Sequence, residues 1–271
     1  MLRAASSFES YDVEAADGCV GIAQDLLFDD ITWRLRWLVV DTGGWLNNRR
    51  VLIHPSFIGG IDDVGRSLPV RLPRATIAAA PGIHPDRLAS IQTETTLYDY
   101  YGWDPTWGSS VFGHGMFPSS LQTDMEEDCE PEPEHKYRDE YAHRDDHEAD
   151  NGVDGLGPLF DPPDPHLCSL HEVTGYHIDV DDGSIGHLED VLIDDSEWLI
   201  HYLVVNTGNW RTAKKVLISP YAVRHVDFPE RTVDLNLTQD KIRASPAWDP
   251  AAPMGEAGRY QLHRHYDWPD Y

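Results

Sequence analysis

The fold is decided by the stretch GSIGHLEDVLIDDSEWLIHYLVVNTGNWRTAKKVLISP at residues 183–220. The stretch GCVGIAQDLLFDDITWRLRWLVVDTGGWLNNRRVLIHP at residues 18–55 repeats it without a gap, 165 residues earlier. Self-similarity at one fixed offset is the mark of a duplicated structural unit, so we predict two copies of one domain. Identical pairs at this offset are Gly21/Gly186, Asp25/Asp190, Asp30/Asp195, Trp33/Trp198, Thr42/Thr207, Gly43/Gly208, Trp45/Trp210, Pro55/Pro220, Arg66/Arg231 and Pro81/Pro246.

Each copy is predicted to be a small β domain. The dipeptides Asp17-Gly18 and Asp182-Gly183 favour tight hairpin turns. The runs Leu38–Val40 and Leu203–Val205 are apolar throughout, as in strands that are buried on both faces. Six short strands with tight turns favour a closed barrel. The predicted strands are Tyr11–Ala15, Val20–Phe28, Trp33–Val40, Val51–Ile53, Phe57–Ile61 and Ser67–Leu72, with counterparts at Tyr176–Val180, Ile185–Ile193, Trp198–Val205, Val216–Ile218, Ala222–Val226 and Thr232–Leu237.

Short helices are predicted to follow each barrel. The first covers Arg74–Ala79 or Gln239–Ala244, and a proline ends it in each copy. The second covers Asp86–Tyr101 or Gly255–Tyr266 and runs into an aromatic tail. We predict that the tails lie back across the barrels as structural clasps, the alternative being an exposed aromatic patch for a partner. The tail residues concerned are Tyr101, Trp103, Tyr266 and Trp268.

An acidic segment separates the two copies. Residues 107–168 hold 16 acidic and 3 basic side chains and are rich in proline and glycine. Such a composition buries too little apolar surface to offset the entropy of ordering, so we predict an extended, partly disordered linker. The predicted domains are therefore residues 1–106 and residues 169–271, with the linker at 107–168.

The overall charge and the cysteines exclude several classes of protein. The formal charge of −26 disfavours binding to nucleic acid and to anionic membranes. No apolar run approaches the roughly 20 residues that a membrane span needs, and the first residues lack the apolar core of a signal peptide. Three scattered cysteines predict reduced thiols: Cys19, Cys129 and Cys168. We expect a location in the cytoplasm, or at the periphery of the inner membrane.

The repeated motif resembles the PRC-barrel domain. The resemblance rests on the pattern G-x-x-G-x-x-x-D, an Asp-Asp turn, the run W-x-x-x-[YW]-L-V-V-x-T-G-x-W and the run V-L-I-x-P, and copy two is the closer match. This domain is named after the cytoplasmic part of the photosynthetic reaction centre H subunit and also occurs in a ribosome-maturation factor. The resemblance implies an all-β fold with short helices, present as two tandem PRC-type barrels, and roles in protein assembly rather than catalysis.

The resemblance leaves three functions to weigh. The first is a non-enzymatic adaptor whose protein partner carries a basic patch, as the acid excess suggests. The second is a peripheral accessory of a photosynthetic or electron-transfer membrane complex. The third is an enzyme with a site of acids and histidines between the barrels. We also expect the two barrels to pack against each other as a pseudo-symmetric pair, because duplicated domains often keep an ancestral self-association surface.

Residues that could support chemistry are each read as structural, so we predict no catalytic, cofactor-binding or metal-binding residues. Asp179–Gly183 looks like a calcium loop, but its glycine falls one position early and Asp190 stands where a glutamate belongs. Paired acids at a turn usually accept backbone N–H bonds. The other candidates are Asp29-Asp30 and Asp194-Asp195 as acid pairs, His54 as a catalytic histidine, Gly43-Gly44 and Gly208-Asn209 as turns that need a positive φ, and His135, Asp139, Glu140, His143 and His147 as weak metal ligands in the linker.

Overall fold

The computed structural model describes residues 1–47, 49–80, 97, 100–101, 166–208, 214–251 and 254–269. Residues 102–165, which include Trp103, Cys129, the linker histidines and nearly all of the predicted linker, lie outside the described residues, as does most of the predicted helix 86–101. Within the described part the chain is mostly β-strand with a few short helices, which confirms the predicted fold class. We call residues 1–101 repeat one and residues 166–269 repeat two.

The described strands follow the same succession in both repeats, except that repeat two has one additional strand, β12. Repeat one has β1 (Leu2–Ala4), β2 (Asp12–Ala15), β3 (Gly18–Asp29), β4 (Leu35–Asp41), β5 (Arg50–Ile53) and β6 (Ser67–Val70), followed by the helix Arg74–Ala79. Repeat two has β7 (Leu167–Ser169), β8 (His177–Val180), β9 (Gly183–Asp194), β10 (Leu199–Asn206), β11 (Lys215–Ile218), β12 (Val223–Asp227) and β13 (Thr232–Leu235). Helices at Leu170–Val173, Gln239–Ala244 and Glu256–Tyr266 complete it.

The strand orders of the two sheets correspond. The order is β5-β4-β3-β2-β6 in repeat one and β11-β10-β9-β8-β13-β12 in repeat two. Neighbouring strands are antiparallel except for the pairs β2–β6 and β8–β13, which are parallel. The long strand of each sheet, β3 or β9, pairs along one side with a single strand and along the other side with two short ones.

The prediction of closed barrels is wrong, because the two sheets formed by the described strands are not closed. The terminal strands β11 and β12 are consecutive in the chain, yet they do not pair. A 3-10 helix at Pro220–Ala222 lies between them and uses its N–H groups locally, for example from Ala222 to Ser219 O at 3.0 Å. Proline has no N–H to donate to a ladder, so the chain turns here instead of continuing the sheet. Pro55–Phe57 forms the same turn in repeat one.

One predicted strand is replaced by irregular structure. Phe57–Ile61 was expected to pair along its length, but only isolated bridges form, between Ile58 and Val70 and between Asp62 and Ser67. Two consecutive glycines, Gly59 and Gly60, lie between these bridges, and glycine weakens a strand because it loses the most conformational freedom on ordering. The counterpart in repeat two, which has no glycine there, forms the strand β12, which pairs with β13 with one register shift.

The glycines of the repeated motif allow two strands to approach closely. A Cβ atom on Gly21 would lie 2.0 Å from the backbone oxygen of Asp41, and one on Gly186 would lie 1.8 Å from that of Asn206. Any side chain at these positions would therefore force apart the long strand and its neighbour. This contact explains why glycine occupies the same place in both copies.

The two repeats share one hydrophobic core. A single cluster of buried side chains runs from Leu26, Leu38 and Val40 of repeat one to Ile193 and Val205 of repeat two. The second face of the repeat-one sheet is also covered, since Leu97 and Tyr101 of the tail pack with Trp37 and Leu52. The central strands are therefore buried on both faces, which confirms the interpretation of their apolar runs.

Candidate functional site

The region where the repeats meet is built from two exchanged strands, which we call the arms. Arm one contains β1 and pairs with β9 of repeat two, with Ala4 opposite Leu192. Arm two contains β7 and pairs with β3 of repeat one, with Ser169 opposite Leu27. The two registers are identical after the offset of 165 residues. Each arm thus fills the edge of the long strand that the short strand β8 or β2 leaves open.

The same region has a second reciprocal contact at its centre. Leu35 N donates to Trp198 O at 2.8 Å, and Ile200 N donates to Trp33 O at 2.9 Å. Both tryptophans adopt the left-handed backbone region, with φ of 59° at Trp33 and 54° at Trp198. This conformation is uncommon for a bulky residue, and here it turns each carbonyl toward the other repeat. The described parts of the two repeats therefore form a pseudo-symmetric pair.

The aspartate of the repeated motif holds the arm of the other repeat. Asp25 accepts hydrogen bonds from Ser169 Oγ at 2.6 Å and from His171 N at 3.1 Å. Asp190 accepts from Ser6 Oγ at 2.5 Å and from Ser6 N at 3.2 Å. Burial raises the pKa of Asp25, and these hydrogen bonds act in the opposite direction. A register shift beside each aspartate, at Gln24 and at the equivalent position in repeat two, marks a β-bulge, a feature that redirects side chains.

In each Asp-Asp pair, the first aspartate caps a turn and the second contacts an arm. Asp29 caps its own turn by accepting from Ile31 N and Thr32 N, and Asp194 does the same with Ser196 N at 2.8 Å. This is the structural role that the sequence indicated. The second acid of each pair contacts the arm of the other repeat, a role that the sequence did not indicate. Asp30 lies 3.0 Å from His166 Nδ1, and Asp195 accepts from Arg3 Nε at 2.6 Å.

Arg3 connects three segments of the chain. Its guanidinium bonds both to Asp195 of repeat two and to Asp63 of repeat one, and 17% of its side chain is exposed. Partly buried guanidinium–carboxylate pairs are stronger and more geometrically specific than exposed ones. Arg3 therefore fixes arm one in place in a way that arm two, with the buried Cys168 at the equivalent position, does not reproduce.

A small cleft opens between the arms. Its volume is about 60 Å³, and both motif aspartates line it together with Glu9, Glu189 and His171. Ligand pockets for organic molecules usually measure about 300–1,000 Å³. The cleft brings acids and a histidine together between the repeats, as the enzyme hypothesis requires, but it has room for a few water molecules rather than for a substrate.

A larger, open cavity lies on repeat two. It measures about 320 Å³, and its lining includes Asp181, Tyr221, Lys241, Tyr266 and Trp268. Its charged groups are engaged, since Asp181 pairs with Arg224 and Lys241 Nζ lies 3.0 Å from Asp267. Tyr266 and Trp268 stack at 4.2 Å between ring centroids. The cavity is therefore an open depression on the surface of repeat two, with its acid and its lysine held in ion pairs.

The aromatic tail of repeat two lies across its sheet and closes over a buried histidine. His263 is 3% exposed; its Nε2 lies 2.7 Å from Tyr202 Oη, and its Nδ1 lies 2.8 Å from Pro269 O. A carbonyl can only accept, so Nδ1 carries the proton and Nε2 accepts from the tyrosine. Burial raises the pKa of Tyr202 to about 12. These contacts support the clasp interpretation of the tail.

His54 has a structural position in a turn. Its Nδ1 accepts from Ser56 N at 3.2 Å, which caps the 3-10 helix Pro55–Phe57. Ser219 caps the matching helix in repeat two. Burial, followed by the nearby charge of Arg36, lowers the pKa of His54 to about 4. The imidazole is therefore neutral at pH 7, with Nδ1 as an acceptor, and serves as a helix cap.

The remaining candidates have local roles. Asp181 and Asp182 form the two-residue hairpin between β8 and β9, and Asp182 accepts from Gln239 N at 2.8 Å, capping the next helix. Gly43 has a positive φ of 58°, as the predicted turn needs, whereas Gly44 does not; in repeat two, Gly208 N donates to Asn206 Oδ1 at 3.1 Å. Asn209 lies outside the described residues. Cys19 is exposed and Cys168 is buried, and neither forms a disulfide within the described residues.

The described residues contain neither a candidate metal cluster nor a membrane-spanning helix. Groups of three or more histidine, cysteine or acidic side chains that could hold a metal ion do not occur there. In the same part of the chain, every helix is too short or too polar to cross a lipid bilayer.

Comparison with known proteins identifies one domain. Residues 178–242 match the PRC-barrel domain, a span that runs from β8 into the helix Gln239–Ala244. PRC-barrel domains are non-catalytic modules that often act in protein association. None of the curated proteins matches the chain.

Proposed function

We propose that this protein is a non-enzymatic assembly module, located in the cytoplasm, that binds a protein partner through its outer surface. The observation that carries the proposal is the interlocking of the two repeats. Exchanged arms and a shared core fill the space between them with the chain's own side chains. Other molecules can therefore contact only the outer, solvent-exposed surface of the repeats. This is the usual arrangement in a binding module.

We further propose that repeat one is a second PRC-type unit. Three features support this: the corresponding strand order, the identical arm register and the close glycine contacts at Gly21 and Gly186. The matched domain in repeat two would then be one half of a pair. Because the arms join the two units, we propose that the functional module is the pair and not the single unit.

The acid excess indicates a basic partner. The outer face of β2 carries Asp12 and Glu14, both exposed and without an ion-pair partner among the described residues. Ile22, which is 49% exposed, lies directly opposite Asp12 on β3. Acidic side chains beside an exposed apolar residue suit a partner surface of lysine or arginine around an apolar contact, and the charge would mainly speed and orient the encounter.

The size of the inter-repeat cleft argues against the enzyme alternative. At about 60 Å³ it holds far less than a substrate, although acids and His171 line it. Catalysis would need a nucleophile or a base within reach of a bound reactant. We therefore propose that the protein has no enzymatic activity.

Affinity capture at two salt concentrations tests the proposal. The full chain is immobilised and exposed to extract of its own cells, and proteins retained at 50 mM salt are eluted at 500 mM. We expect a basic protein to be retained and then released, because the Debye length falls from roughly 14 Å to about 4 Å over this range. A set of retained proteins that is unchanged by salt would contradict the proposal.

A pair of charge variants makes the test specific. The double variant Asp12→Asn with Glu14→Gln removes the acids of the β2 face. The control, Asp240→Asn with Glu256→Gln, removes two exposed acids of repeat two. We expect retention of the partner to fall several-fold in the first variant and to stay unchanged in the control. Equal retention by both variants would exclude the β2 face as the contact.

A further inference from the structure

Two histidines of repeat two face each other across adjacent strands. His177 on β8 is directly opposite His187 on β9. Leu188 N donates to Tyr176 O at 2.8 Å, which places the histidines at a non-hydrogen-bonded position of the antiparallel ladder. At such positions the Cα atoms lie only about 4.5 Å apart and the side chains approach most closely. Both imidazoles stand on the same face of the sheet.

The pair points away from the core. The neighbouring residues Ile178 and Leu188 are buried, at 0% and 2% exposure, whereas His177 is exposed and His187 is partly exposed. Within the described part of the chain, neither imidazole has a hydrogen bond, an ion pair or a ring contact. Their nitrogen lone pairs are therefore available to a ligand from solution.

We propose that His177 and His187 bind a divalent transition-metal ion, with water completing the coordination. Imidazole nitrogen suits Zn²⁺, Ni²⁺ and Cu²⁺, and two imidazoles on a rigid ladder lose little freedom when they chelate. The net charge of −26 favours the approach of cations.

Repeat one provides a comparison within the same molecule. The positions equivalent to His177 and His187 are Asp12 and Ile22, which also stand opposite each other. A carboxylate facing an aliphatic side chain cannot chelate a metal through two groups. The proposed site is thus particular to repeat two and is independent of the proposed function.

The test is histidine modification by diethyl pyrocarbonate on the full chain, read peptide by peptide by mass spectrometry. We expect Zn²⁺ to slow the modification of His177 and His187 together, by several-fold, and to leave the exposed His171 unchanged. In the variant His177→Asn, protection of His187 should disappear although His187 is still present. Protection of His187 that survives this substitution, or no protection of either histidine in the wild type, would overturn the proposal.

A second variant transfers the site. The substitutions Asp12→His and Ile22→His place the same cross-strand pair in repeat one, where a separate peptide reports it. We expect Zn²⁺ to protect both new histidines. If they remain unprotected while circular dichroism shows a folded chain, the ladder geometry does not suffice and the proposal fails.

Discussion

At the scale of the residue, the two repeats allow one copy to serve as the control for the other. His54 and Ser219 occupy the same position and cap the same 3-10 helix, one with an imidazole nitrogen and the other with a hydroxyl. The substitution His54→Ser is therefore compatible with the fold. It removes the titrating group together with the edge contact of the imidazole on Trp37, so the change of the stability difference with pH, and not its size at one pH, isolates the titration.

We expect His54→Ser to reduce the loss of stability on acidification. The unfolded imidazole takes up a proton near pH 6.5, whereas the folded one does so only near pH 4. The folded pKa is depressed, so the stability of the wild type falls as pH falls through this window, by up to about 3 kcal/mol. Urea unfolding at pH 7, 5.5 and 4.5 measures the difference between wild type and variant. A difference that does not change with pH would contradict the assignment.

Asp25 is the residue whose removal should loosen an arm. In Asp25→Ala, Ser169 Oγ and His171 N lose their acceptor, and Ser169 is only 7% exposed. Leaving such groups unpaired costs about 1–3 kcal/mol. Thermal or urea unfolding measures the loss, with Glu14→Ala as the exposed control, for which we expect a change within about 0.5 kcal/mol. Equal stability of the two variants would contradict the role given to Asp25.

At the scale of the element, the tail helix Glu256–Tyr266 is held by a few residues on one side. Leu262 is 2% exposed and packs into the shared core, whereas Tyr260 on the same helix is 58% exposed. We expect Leu262→Ala to destabilise the chain by about 2–5 kcal/mol, because it leaves a cavity. Tyr260→Ala is the matched control, with little expected effect in the same melting experiment. If Leu262→Ala melts like the control, the tail does not clasp the sheet.

Sequence patterns predicted most elements because local signals set them. The apolar strands β4 and β10 follow from apolar runs, and the helices Arg74–Ala79 and Gln239–Ala244 follow from the proline after each of them. The hairpins form at the predicted places, with their two-residue loops one position before the Asp-Gly dipeptides, at Ala16-Asp17 and Asp181-Asp182. The sequence analysis did not predict the arms, because a strand of three residues is too short to show the alternation of apolar and polar residues that marks a β-strand. The signal that could have found them is the offset itself, since Leu2 and Leu167 correspond. Closure was predicted wrongly because strand counting does not detect a proline-led turn between β11 and β12.

The site was less predictable than the fold for a physical reason. The roles of Asp25, Asp30 and Asp195 depend on partners from the other repeat, and pairing at such distance along the chain leaves no local pattern. The only sequence signal for their role is that these acids recur at equivalent positions in both copies. The same holds for His177 and His187, which meet only because β8 and β9 pair in one particular register.

At the scale of the whole molecule, the described parts of the two repeats are joined like the two subunits of a symmetric dimer. Each repeat supplies an arm, a motif aspartate and a tryptophan carbonyl to the other. Duplication of a self-associating domain yields such a pair without the concentration dependence of two separate chains. It also frees the two outer faces to diverge, as the acids of β2 and the histidines of β8 and β9 illustrate.

The most direct test of the account is a disulfide between an arm and the long strand it joins. Ala4 and Leu192 stand opposite each other, and their substitution by cysteine should give a bond between the repeats when the native cysteines are replaced by serine. The control is Ala4→Cys with Leu27→Cys, because Leu27 is the equivalent residue in the arm's own repeat. We predict an oxidised monomer band on a non-reducing gel for the first pair only. A bond that forms with Leu27→Cys and not with Leu192→Cys would contradict the exchange of arms.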